Sequence, residues 1–242
     1  MRMARRLGFT FVGTNYTELP NRIWLFNQPV ALDYPDDRTL IGDVINIFLD
    51  DEYGLASVRV PVRTVVDIGA NIGLFSLWAR HNFSSATIHG YEPNEHAVNY
   101  AAANLRGANV TLFGEGVSGE NAKCRLVVDG TSRGAKTEKT PLGRINLTGI
   151  GTVIERIGGK LDLLKIDCEG GEWDIFHNTH VFQHVRQIRM EYHLGENHDL
   201  FELNEVIESL GFRTTKLISH GDFGIAWLEN IRAIGWPVTS SS

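Results

Sequence analysis

The sequence predicts an α/β fold with a mostly parallel sheet and an antiparallel strand at its end. Three observations carry this. An apolar strand, a glycine-rich turn and a helix start follow one another from Val65 to Phe75. Strand-like and helix-like stretches then alternate to about residue 210, and two further strand-like runs flank His220-Gly221-Asp222, a hairpin turn signal. Alternation of this kind gives parallel strands with helices on both faces.

Residues 1 to about 60 read as an N-terminal extension of strands and a helix that shapes a wall of a substrate pocket or covers a sheet edge. Arg22 to Phe26 and Pro29 to Asp33 can pair as short strands. Ile41, Val44, Ile45, Phe48 and Leu49 fall on one helical face. The main domain is expected over 61–236, with a disordered tail at 237–242. Its first strand is expected at 64–68 and a helix at 73–81, with Leu74, Leu77 and Trp78 on the buried side. A second strand at 87–91 leads to a helix burying Val98, Ala101, Ala102 and Leu105 and stopping near Gly107. Val110 to Phe113 is a third strand. Gly114 to Asn146 is less regular and reads as a hairpin with an exposed loop around the apolar run Leu126 to Val128. A helix at 149–157, a strand at 161–166, a strand at 187–192 and a helix at 200–210 stopped by Gly211 follow. The closing strands are expected at 212–218 and 224–229.

At 242 residues the chain is long enough for one α/β domain with a full core. Its 29 acids against 23 Lys and Arg make it a poor general nucleic-acid binder. Cys124 and Cys168 are far apart, which argues against a disulfide framework or a structural zinc site. The basic start Met1 to Arg6 has no apolar run behind it, so no signal peptide is expected, and no run approaches the ~18 apolar residues of a membrane span. The expectation is a cytoplasmic protein with no membrane contact.

The turn Asp67-Ile68-Gly69-Ala70-Asn71-Ile72-Gly73 is neither the GxGxxG dinucleotide fingerprint nor a P-loop. An acid ending the first strand suits a cationic or hydroxyl-bearing ligand better than a pyrophosphate. Glu92, about 20 residues on, stands where a nucleotide-binding fold places an acid on a ribose. S-adenosylmethionine has an amine, a sulfonium and a ribose but no phosphate, so it is the expected cofactor. The glycines are expected to let that ligand approach the main chain.

Four segments together resemble the FkbM family of S-adenosylmethionine-dependent methyltransferases. They are Val66 to Gly73, Tyr91-Glu92-Pro93-Asn94, Leu164 to Glu172 with its Lys165-Ile166-Asp167-Cys168-Glu169-Gly170 core, and Met190-Glu191-Tyr192-His193. The resemblance covers about residues 64–195. It implies a Rossmann-like, seven-stranded methyltransferase sheet and O-methylation of a sugar, glycan or polyketide-like small molecule. It implies that Gly69, Ala70, Asn71 and Gly73 bind the cofactor with Asp67, Glu92 and Pro93, the turn donors meeting the methionine carboxylate. Glu115, Gly116 and Val117 would meet adenine, and Asp167 the methionine amine or the methyl group.

Asp167 and Glu169 share a side while extended geometry lasts, and Lys165 shares it one step earlier, so a purely structural Lys-Asp-Glu cluster is the alternative. Glu172 is expected to charge a helix start. His193, with an unperturbed pKa of about 6.5, is the expected general base, with Asp167 and Glu169 next in line. Asp167, Glu169, Glu191 and His193 could hold a hard divalent ion, but no spacing requires one and none is expected. His81, His177 and His180 read as helix or loop-surface residues. The competing functions are a nucleic-acid or protein methyltransferase and a silent cofactor-binding protein. No NPPY-type tetrapeptide ends the fourth strand, which weighs against base methylation.

Overall fold

The computed structural model describes Leu7, Leu19 and residues 21–36, 40–127 and 136–232. The expected tail, the basic start and Val128 lie outside the described residues.

Seven strands form the main sheet in the order β12-β13-β11-β10-β3-β4-β5. These are β3 (Thr64–Ile68), β4 (Thr87–Tyr91), β5 (Thr111–Phe113), β10 (Leu161–Ile166), β11 (Val185–His193), β12 (Phe212–Ser219) and β13 (Phe223–Asn230). Only β13 runs against its neighbours β11 and β12; the other pairs are parallel. The apolar runs Val65-Val66 and Leu163-Leu164 are buried on both faces, as a parallel sheet covered by helices requires. Side chains alternate accordingly. Val65 and Leu163 join one apolar cluster with α2 (Leu74–Asn82) and the N-terminal extension. Val66, Ile68, Leu164 and Ile166 join the other, with α4 (Ile150–Arg156) and α6 (Leu200–Ser209).

The extension begins with the antiparallel pair β1 (Arg22–Leu25) and β2 (Gln28–Ala31), joined by Phe26-Asn27 at positive φ. The next helix, α1 (Leu40–Val44), continues as a wider coil over Ile45–Leu49 and buries Leu40, Val44 and Phe48. His81, expected as a helix or surface residue, is a half-buried member of α2 that stacks on Trp78 and accepts from the Phe26 amide, holding the hairpin to α2.

Three expectations change. In α3 (Glu95–Asn104) Ala102 is exposed and Asn104 is buried instead. Asn104 donates to the Ile72 and Asp33 carbonyls and accepts from the Asp33 amide, so a polar side chain ties the extension to the core. The irregular stretch holds more than a hairpin. β6 (Gly116–Ser118), β7 (Ala122–Val127), β8 (Lys136–Lys139) and β9 (Ile145–Gly149) form a second sheet in the order β6-β9-β7-β8. The start of the expected helix at 149 is therefore the end of β9. A one-turn α5 (Glu172–Phe176) and a 3-10 segment Thr179–His184 fill the crossover between β10 and β11.

One row across the main sheet is polar. Asp67, Lys165, Arg189 and Trp227 are register neighbours on β3, β10, β11 and β13. Asp67, Lys165 and Arg189 are buried. Buried polar groups need partners, and the extension supplies some. Arg189 Nε donates to the Tyr53 carbonyl at 2.9 Å and Trp227 Nε1 to the Glu52 carbonyl at 2.8 Å.

Candidate active site at the carboxyl ends of the strands

A cavity of about 330 Å³ opens over the carboxyl ends of β4, β3, β10 and β11. That volume lies within the usual range of small-ligand sites. Gly69, Ala70, Asn71, Glu92, Pro93, Gly116, Val117, Asp167 and Glu169 line it, so the structure brings most of the candidate residues together. Asp67, Gly73, Glu115 and His193 are not among its lining.

The glycine turn is wired into the sheet. Gly69 and Ala70 both donate their amides to the Tyr91 carbonyl at 3.0 Å, and Asn71 donates to Glu92 Oε2 at 2.8 Å. These three amides are therefore already used within the fold. Gly73 packs against Leu105. Glu92 Oε1 accepts the Asn94 amide at 2.9 Å. Burial pushes this carboxyl up to about 6, against the two amides that pull it down. One amide on each oxygen leaves lone pairs for two more donors, which suits a vicinal diol.

Asp67 sits beneath the turn, fully buried, with Ser76 Oγ donating at 2.7 Å and Lys165 Nζ 3.4 Å away. It supports the turn and does not face the cavity. Lys165 donates to the Gly69 carbonyl at 2.7 Å and lies 3.2 Å from Asp167 Oδ2. Burial works against its charge, but Asp167 and Asp67 overcome that and push it above its ordinary range. Lys165 thus pairs with Asp67 and Asp167, whereas Glu169, the third member of the anticipated Lys-Asp-Glu cluster, lies against His193; Lys165, Asp167 and Glu169 all line the cavity. Glu115 is turned to Thr148 and Arg156, which hold its carboxyl below its ordinary value against a burial effect of opposite sign. Only Gly116 and Val117 of that trio reach the cavity.

Asp167 and Glu169 both line the cavity although extended geometry ends at Ile166 and Glu169 has a φ of 54°. His193 is anchored away from the lining. Glu172, fully buried, accepts from the His193 amide at 2.7 Å and lies 3.2 Å from Nδ1; Glu169 Oε2 is 3.6 Å from Nε2. Burial alone would lower this imidazole. Glu172, then Glu169 and Glu191, outweigh it and push it up to about 9. An imidazole pushed toward its charged form and set behind the lining is a poorer base at neutral pH than the expectation for His193 supposed. Glu172 is its anchor, beyond the helix-start charge expected for it.

The linkage has a definite sign. A histidine whose folded pKa lies above its unfolded value stabilises below the unfolded pKa and loses that contribution as pH rises through the folded one. Measured by urea unfolding, the stability lead of the parent over His193→Gln should be full below pH 6.5 and gone above about pH 9. A lead that grows with pH would reverse the assignment.

Glu52, from the extension, lines the cavity and escaped the sequence reading, while Glu191, near the end of β11, lines it too but was read there only as part of a motif and as a possible metal ligand. Burial, then Glu191 and Asp167, push Glu52 up to about 8. Burial, then Asp167, push Glu191 up to about 7, while His193 and Lys165 pull the other way. Tyr53 Oη donates to Asp167 at 3.4 Å from the same segment as Glu52. Thr137 of β8 also reaches the cavity. Among the described residues no group of three or more His, Cys, Asp or Glu side chains is placed to hold a metal ion, and no helix is long and apolar enough to cross a membrane.

A sequence profile of the methyltransferase FkbM domain matches residues 67–214. No curated protein gives a significant match. Among solved structures, the METTL16 MTase domain is similar with a TM-score of 0.51 at 15% identity, over 83% of this chain and 73% of that one. The ribosomal protein L11 methylase from Lactobacillus delbrueckii subsp. bulgaricus gives 0.47 at 12% identity, over 74% and 75%. TrmK of M. capricolum, solved with S-adenosylhomocysteine, gives 0.46 at 12% identity, over 74% and 67%. At such identities the METTL16 likeness is one of fold.

Proposed function

The chain belongs to the FkbM methyltransferase family, and from that premise we propose that it moves a methyl group from S-adenosylmethionine to a hydroxyl oxygen of a small-molecule acceptor. One observation carries this reading: a single cavity joins the Glu92 diol-accepting end to a wall of carboxylates at Glu52, Asp167, Glu169 and Glu191. Glu92 would hold the ribose hydroxyls, Gly116 and Val117 the adenine edge, and Asp167 the methionine amine. When bound, the cofactor supplies an electrophilic methyl group on a sulfonium.

The residues of this chain would do the rest. Much of the rate would come from alignment of the two reactants in the cavity. The acceptor oxygen would form the new O–C bond with a lone pair and take back its O–H pair as the proton passes to a carboxylate of this chain; the cofactor would supply the methyl group and retain the electron pair that had bound it. Asp167 is paired with Lys165. Glu191, raised to about 7, is better matched to neutral pH, and replaces His193 as our candidate. The same carboxylates disfavour an acceptor rich in phosphate, which weighs against nucleic acid.

An acceptor panel with methyl-labelled cofactor tests the reading; transfer only to RNA or protein would overturn it. Glu92→Ala should weaken S-adenosylhomocysteine binding about tenfold or more in calorimetry, since charge-assisted hydrogen bonds contribute roughly 1.5 to 3 kcal/mol each. Unchanged affinity in a folded variant would remove Glu92 from the site.

A further inference from the structure

Glu52 is fixed from behind with unusual care for a residue outside the matched domain. Its carbonyl accepts from Trp227 Nε1 and that of Tyr53 from Arg189 Nε. Trp227 is itself held between Lys216 Nζ at 4.0 Å and the Arg189 guanidinium at 5.1 Å from the ring centre. Gly54 lies directly on the indole: at φ +67° an added Cβ would come within 2.2 Å of the ring. The segment is thus nailed to β11 and β13, and Glu52 lines the cavity. Asp67 and Asp167 share Lys165, whereas neither the Glu52 nor the Glu191 carboxylate has a hydrogen-bond donor or ion-pair partner among the described residues.

The placement matters because Glu92, Gly69, Asp167 and Glu191 follow one another at the ends of adjacent strands, β4, β3, β10 and β11, spaced about 4.8 Å apart. A ligand anchored by its diol at Glu92 and lying along these ends extends toward Asp167 and Glu191. We propose that Glu52, acting with Glu191, makes the site select the positively charged methyl donor over the neutral product left after transfer. The inference rests on the cofactor reading above. Before transfer the ligand sulfur is a sulfonium; afterwards it is an uncharged thioether. A fixed anionic wall attracts the first and not the second, so it favours loading of the donor and release of the product.

The selection has a pH dependence. Glu52 is faced by Asp50 and Tyr53 on its own segment, by Glu191 on β11, and by Asp167 and Lys165 on β10 and just after it. Glu191 is faced by Asp167, His193, Lys165 and Glu169. With both carboxyls raised into the range of about 7 to 8, mainly by burial, the wall gains charge as pH rises through neutrality. Preference for the sulfonium grows with it.

The test is calorimetric binding of S-adenosylmethionine and S-adenosylhomocysteine from about pH 6 to about pH 8.5, on the full chain and on the Glu52→Gln/Glu191→Gln double variant. Both ligands carry a titrating amine, so the reading is the difference between parent and variant. In the parent the donor-to-product affinity ratio should rise at least about fivefold, the scale of a partly screened charge pair. In the double variant it should stay nearly flat, with S-adenosylhomocysteine still bound. Glu52→Gln alone should show an intermediate slope, and stands in if the double variant melts early. A flat parent ratio, or the same rise in the variants, overturns the selection while leaving the cofactor reading in place. A folded parent that binds neither ligand overturns both.

Discussion

Lys165→Met is expected to cost about 3 to 5 kcal/mol at neutral pH, the usual penalty for removing one partner of a buried ion pair. Lys165 is 3% exposed and stands between Asp67, 0% exposed, and Asp167. Methionine fills the space but leaves the Asp67 carboxylate in an apolar interior with Ser76 as its one hydrogen-bond donor among the described residues. It also removes the donor to the Gly69 carbonyl. Asp167, whose side chain is 24% exposed, can turn to solvent; Asp67 cannot. The pH dependence separates this cause from simple repacking. Without Lys165, burial is opposed by the Ser76 hydrogen bond but no longer by that charge, and it lifts the folded-state value of Asp67 still further above its unfolded one. A carboxyl raised in the folded state destabilises above its folded pKa, and that penalty fades as pH falls toward the unfolded value. The deficit seen by urea unfolding should therefore shrink on acidification. Asp67→Asn/Lys165→Met should recover much of the loss, because replacing both partners of a buried pair is often nearly neutral. A deficit below about 1 kcal/mol, or one that grows at low pH, would show that the pair does not hold the turn.

The depth at which the sequence speaks follows from the range of the forces involved. Val65-Val66 and Leu163-Leu164 are visible because a parallel strand buried on both faces must be apolar along its length, a purely local requirement. Their strands were expected at 64–68 and 161–166, and β3 and β10 span those residues. β6 and β9 were not legible: only three and five residues long, they are strands because they pair with each other and β9 also pairs with β7. Asn104 was passed over for Ala102 because a hydrophobic template cannot see that the Ile72 and Asp33 backbone needs a buried amide. In the site, Glu92 and Asp167 stand next to their strands and could be found by spacing. Glu52 could not. Its place is set by contacts to Arg189 and Trp227, more than 130 residues away, and no motif marks it. The anchoring of His193 was hidden for the same reason: it depends on Glu172, an acid 21 residues earlier that looked like an ordinary helix-start charge.

Gly69→Ala is the second large effect expected, and it separates two reasons for a glycine at the turn. Had the residue served only ligand approach, alanine would weaken cofactor binding and leave the fold alone. The backbone indicates otherwise. Gly69 has a φ of +75°, and an added Cβ would lie 1.7 Å from the Asp167 carbonyl oxygen. That neighbour is main chain at the end of β10, in register with β3, so no flexible side chain can swing aside. The left-handed backbone costs an alanine about 1 to 2 kcal/mol, and overpacking against fixed atoms adds about 1 to 3 kcal/mol. The expected loss is roughly 3 kcal/mol or more, a melting shift of about 6 to 12 °C for a chain of this size. The turn and the Asp167 backbone must move apart to relieve it. Lys165, which bonds the Gly69 carbonyl and pairs with Asp167, spans that gap and would be disturbed with them. Cofactor affinity should then fall as a consequence of the displaced turn, even at temperatures where the variant is folded. An alanine variant that melts with the parent but binds S-adenosylhomocysteine poorly would restore the ligand-approach explanation. One that loses stability first would place the glycine in the strand-to-turn joint on which the cavity is built.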